Sequence, residues 1–95
     1  MNDTERRDRL ELAQNYLQAS RRASSLAGAH AYDGKALLDI FLRSRRIQDA
    51  RSAVSLINGS ALFFERAAAD ARAAGELLKS IDDVVADPGR QPDAR

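Results

Sequence analysis

The chain has no cysteine, no tryptophan and one histidine, and its other aromatic residues are three Phe and two Tyr. Without cysteine there are no disulfides, no thiolate nucleophile and no Cys-based zinc or iron-sulfur site. A lone His30, with no nucleophile motif beside it, leaves hydrolase-type catalysis without a base-nucleophile pair. The few glycines are scattered singly, so there is no phosphate-cradling loop, and both prolines lie beyond residue 87. Long apolar runs are also missing. The longest, "ALLDIFL", is far too short to cross a bilayer and carries Asp39, and the charged start "MNDTERRDRLEL" has no apolar stretch of the kind a signal peptide needs. A soluble cytoplasmic protein without cofactor or metal, and not an enzyme, is the expectation.

Alanine and charge are what the chain has in quantity. Ninety-five residues make one small domain. Buried alanines hide little area, so its core must rest on a limited set of large residues. Charged residues are 31% of the chain and nearly cancel, at net +1. Both signs are interleaved, as on a solvated helical surface.

Apolar spacing predicts an all-α protein. A first helix over about 4–27 is expected to open at Thr4 as N-cap and stop at Gly28. The segment Ala29 to Gly34 reads as a connector, because Asp-Gly is a strong turn signal. It places His30 in a turn, facing solvent or capping the first helix. A second helix over about 34–57 is apolar on two sides, Ile40, Ile47, Val54 and Ile57 on one and Leu38, Leu42 and Leu56 nearly opposite, as expected of a middle helix. A third over about 60–86 has Phe63, Phe64 and a run of alanines on one side, and the alanines would let a neighbour approach closely. Residues 87–95, rich in Pro and polar groups, read as a disordered tail. No internal repeat is read from the chain.

The stretch "SLINGSALFF" separates two architectures. Asn58-Gly59 costs a helix interior about 1 kcal/mol relative to alanine and Ser60 can cap, which favours a break and an antiparallel three-helix bundle. The 3-4 spacing Ile47, Ala50, Val54, Ile57, Ala61, Phe64, Ala68 nevertheless crosses the site in phase. That favours a long helical hairpin with the second and third helices continuous, dimeric so that its phenylalanines are covered. Matched helix lengths make the three-helix bundle the expected fold.

Two kinds of surface remain as candidate sites. Leu38, Leu42, Leu56, Phe63 and Phe64 are more large apolar side chains than one small bundle conceals, and they would serve as a partner-binding surface. The corresponding function is a non-enzymatic interaction module: a small adaptor, inhibitor, immunity protein or secretion co-chaperone, whose partner is another protein or a second copy. The rival is a nucleic-acid-associated protein using Arg21, Arg22, Arg43, Arg45 and Arg46, which an antiparallel pairing about residues 29–34 would bring to neighbouring levels. Residues 12–46 carry six basic and two acidic side chains. Against that rival, no aromatics interleave with the arginines for base stacking.

Overall fold

The computed structural model describes residues 1–81, and these form two antiparallel α-helices joined by a two-residue turn, with no strand among the described residues. Helix α1 spans Asp3–Ser44 and α2 spans Ile47–Lys79. At 1.5 Å per residue α1 alone is about 63 Å long. The hairpin accordingly measures 65 × 27 × 13 Å. Its radius of gyration is 20.3 Å, where a compact domain of this length would have about 12 Å.

The expected three-helix division is corrected at each of its joints. α1 begins at Asp3, with Asn2 rather than Thr4 in the N-cap position. The Asn2 side-chain oxygen accepts from the Glu5 backbone N–H at 2.8 Å, and Asn2 Nδ2 donates back to the Glu5 carboxylate at 3.2 Å. The helix does not stop at Gly28 but runs through the supposed connector, Asp33-Gly34 included. One glycine costs a helix only about 1 kcal/mol, and packing on both sides of it continues the helix at no further loss. Asn58, Gly59 and Ser60 likewise lie within α2, so the continuity suggested by the unbroken spacing is present. The break falls instead inside the expected second helix, at Arg45 and Arg46. Arg45 adopts the left-handed conformation (φ 58°), and its N–H donates to the Phe41 carbonyl at 2.8 Å. This is the usual way to end a helix, here without glycine. Ser44 closes the turn, its hydroxyl donating to the Asp49 carboxylate at 2.7 Å and accepting from the Arg46 N–H at 3.2 Å. α2 ends at Lys79 with Ser80 as its C-cap, short of the expected end near 86, and the tail 87–95 lies outside the described residues.

A seven-residue repeat of small side chains explains why the helices pair. Ala13, Ser20, Ala27 and Gly34 in α1 face Ala74, Ala67, Ser60 and Ala53 in α2, and all but half-buried Ser20 are buried. Two serines establish the register. The Ser20 hydroxyl donates to the Ala67 carbonyl, and the Ser60 hydroxyl to the Ala27 carbonyl, each at 2.7 Å. Gly34 sits so close that a Cβ there would lie 2.9 Å from Ile57 Cγ1 and 3.5 Å from the Ala53 carbonyl oxygen. Small residues recurring every seven positions keep one face of each helix aligned with the other over its whole length. Between them, larger seam residues alternate: Tyr16, His30, Leu37 and Phe41 on α1, Leu56, Phe63 and Leu77 on α2, all half-buried. Near the open end, the Arg9 guanidinium donates to the Ser80 hydroxyl at 2.8 Å. There Ile81 is the largest fully buried side chain among the described residues.

Candidate protein-interaction face

A hairpin one helix thick has two broad faces, and the position of a residue relative to the small seam residues decides which face it joins. In an antiparallel pair, residues four positions after the seam positions of either helix come to the same side. The large ones on that side are Leu10, Leu17 and Leu38 in α1 and Ile57, Phe64 and Leu78 in α2, with the small Ser24, Ala31 and Ala71 between them; the large ones are exposed except Leu78, which is half-buried. Ile57 leaning over Gly34 shows the seam edge of this side, here called the phenylalanine face. Further out on α2, Ile47 (64% exposed) and Val54 widen it, and on α1 Leu42 (62% exposed) stands at the turn end.

The opposite side is the histidine face. His30 is not in a turn but in the middle of α1, where its Nδ1–H donates to the Leu26 carbonyl at 2.9 Å. Its ring meets Phe63 edge-on, with centroids 5.2 Å apart, and the Cβ of a side chain at Gly59 would come within 3.2 Å of it. The imidazole is thus a packing element between the helices. Beside it runs a shallow open groove lined by Tyr16, Arg22, Leu26, Phe63, Arg66 and Asp70, with polar and apolar side chains mixed.

The five residues expected to bind a partner are therefore divided. Leu38, Leu42 and Phe64 (52% exposed) share the phenylalanine face or its rim, whereas Leu56 and Phe63 are half-buried seam residues that help hold the hairpin together. Helical phase explains the split: Leu56 and Phe63 lie three residues after the small residues Ala53 and Ser60, and Phe64 lies four after Ser60. Ile57 and Val54 belong to the exposed face although sequence reading assigned them only to a stripe of the middle helix. The signal that would have found them is the seven-residue recurrence of Ala or Ser at 53, 60, 67 and 74, which marks the inward side of α2 and so its flanks.

The arginines do not converge. Arg21 and Arg22 lie in mid-α1, and no turn intervenes at residues 29–34. Arg43 is therefore about 30 Å further along the same helix, at the rise of one helical residue after another. Arg43, Arg45 and Arg46 stand together at the hairpin tip instead. Asp39 pairs with Lys35 at 3.4 Å, an exposed contact of little energetic weight. Among the described residues no three His, Asp or Glu side chains cluster as a metal site, and no helix is long and apolar enough to cross a membrane.

Fold and face together define a class: an antiparallel two-helix hairpin with a small-residue seam and an apolar flank. Comparison with protein-family models, curated proteins and solved structures finds no match for the chain.

Proposed function

We propose that this protein is a non-enzymatic helical interaction module, of the kind that serves as a small adaptor, inhibitor, immunity protein or secretion co-chaperone, acting in the cytoplasm without a cofactor. It works by laying the phenylalanine face against apolar helix surface on another chain. One observation carries the reading: the side chains hidden between the helices are chiefly Ala, Ser and Gly, while Leu17, Leu38, Ile57 and Phe64 are left in water. Burying a large aliphatic or aromatic side chain is worth about 1.5–3 kcal/mol, so a face carrying several of them has a strong drive to be covered. A partner helix set along the hairpin would cover them at the 3-4 spacing that such grooves read.

Leu38→Asp combined with Phe64→Asp tests this. Association with a partner, measured by light scattering or titration calorimetry, should be lost while the helical circular dichroism is kept. Unchanged association would place the interface elsewhere. A gel-shift titration at low salt examines the arginine tip in the same samples, since binding through phosphates weakens steeply as salt rises.

A further inference from the structure

We infer that the phenylalanine face is completed to a three-helix bundle by an amphipathic helix of another protein, one with a seven-residue apolar repeat and an acidic edge. The inference rests on the reading of this face as an interaction surface and names the chemistry of its partner. The rows that flank the seam on this side carry the first evidence. In a two-stranded coil such rows are ordinarily Glu and Lys. Here they run in sevens from Leu10 to Leu38 on α1 and from Ala50 to Leu78 on α2, and every residue in them is Leu, Ile, Phe, Ala or Ser. Neither row holds a charge. An apolar stripe widened in this way is the pattern of a helix that belongs to a larger bundle.

The two rows also form a ladder. The hydrogen bonds from Ser20 to Ala67 and from Ser60 to Ala27 set the register. It brings Leu38 beside Ala50, Ala31 beside Ile57, Ser24 beside Phe64 and Leu17 beside Ala71. Each of these rungs joins one large side chain to one small. The small residues leave hollows about 10.5 Å apart along the face, seven residues at 1.5 Å each. Hollows at that interval accept the knobs of a helix whose apolar residues also repeat in sevens. With Leu10 beside Leu78 at the open end, the ladder is about 42 Å long, which a helix of about 28 residues would span.

Charge distinguishes the two edges. Outside the α1 row stand Arg7, Arg21 and Lys35, two heptads or about 21 Å apart. Outside the α2 row the corresponding positions are Ile47, Val54, Ala61, Ala68 and Gly75, with no charge. Arg7 and Lys35 each have an acid four positions on, Glu11 and Asp39; the Lys35–Asp39 contact, at 3.4 Å, is exposed and of little strength. Arg21 has no acid three or four positions away along α1. A helix lying on the ladder therefore meets cations along one side and small or apolar side chains along the other. Its complement is an acidic edge over α1 and an uncharged edge over α2. A second copy does not supply this, because the rows and rims of the face contain no acid.

Three synthetic helices of four heptads test this against the intact chain. All carry Leu at the two seam positions of each heptad, and they differ only in one edge, which is Glu, Gln or Lys. By fluorescence anisotropy the Glu-edged helix should bind about tenfold more tightly than the Gln-edged one, and the Lys-edged helix more weakly than either. Salt at about 1 M should erase the difference. Arg21→Glu should reduce the preference for Glu roughly threefold or more and leave Gln-edged binding unchanged. Phe64→Asp, which should keep the helical circular dichroism, should abolish binding of all three. A preference that survives Arg21→Glu unchanged would overturn the placing of the acidic edge over α1. Equal affinities, all lost in Phe64→Asp, would overturn the acidic partner and leave the interaction face standing. A light-scattering mass of two chains that falls to one in Phe64→Asp would do the same, with a second copy as occupant. No binding of any helix to a monomeric chain would remove both the partner and the face.

Discussion

The seam between the helices and the phenylalanine face beside it carry opposite kinds of residue, and the exchange is informative. Ala27 and Ala53 are wholly buried, while Phe64, on the turn after Ser60, is half in water. A globular core is large because burial scales with area. This seam is small because two helices without a third neighbour gain most by approaching closely, where backbone and Cβ atoms meet directly and dispersion contacts are dense. The hydroxyls of Ser20 and Ser60 reach across to carbonyls of the other helix, which longer side chains would hold out of range. Closeness in the seam is obtained by alternating small residues with large ones set to the side, some half-buried like Leu56 and Phe63 and others exposed on the flank like Phe64.

Breaking that contrast should have the largest effect where a large residue is forced into the seam. Ala53→Leu has no space to occupy and should lower stability by about 3 kcal/mol or more, at or beyond the overpacking range, read as a collapsed melting transition by circular dichroism. Gly34→Ala comes next. Its Cβ would meet Ile57 Cγ1 at 2.9 Å. The ~1 kcal/mol gained in helix propensity is then outweighed by a clash of about 1–3 kcal/mol, leaving a net loss of ~1 kcal/mol in thermal or urea denaturation. Ser60→Ala removes one hydrogen bond between the helices and should cost about 0.5–1.5 kcal/mol in urea denaturation without changing the slope. Gly28→Ala sharpens the comparison with Gly34, because nothing lies within 4 Å of a Cβ there. The same substitution should now stabilise, by up to ~1 kcal/mol. Smallest of all, Leu62→Gln on the outer side of α2 should change stability by no more than about 0.5 kcal/mol. A large loss at Leu62 would show that the contrast between seam and flank is drawn in the wrong place.

The glycines explain how the expected turns went astray. Asp33-Gly34 and Asn58-Gly59 are strong local turn signals, yet Gly34 and Gly59 both lie within helices, without positive φ, where they meet Ile57 and His30 across the seam. Glycine supplies either a left-handed backbone or a close approach, and local sequence does not say which. The actual turn uses Arg45 in the left-handed region, where glycine or asparagine would be the usual choice. No residue type announces it. What places it is the opposite helix: only a turn at 45 and 46 brings Ala27 opposite Ser60 and Ser20 opposite Ala67 together. The candidate face was legible in part. Leu38, Leu42 and Phe64 were recognisable as surplus apolar surface, whereas the assignment of Leu56 and Phe63 to the seam depends on a register that no single helix contains.

Periodicity and composition by themselves determined that the chain is helical, that the apolar stripe of α2 keeps its phase across Asn58-Gly59, and that its few large side chains exceed what its alanines can hide. These are properties of one helix taken alone. Tertiary structure alone decided where the chain reverses, which glycines are contacts and which large residues stay outside. These depend on summed contacts between residues tens of positions apart, and the lowest free energy belongs to the pairing in which every seventh small residue of one helix meets its counterpart in the other.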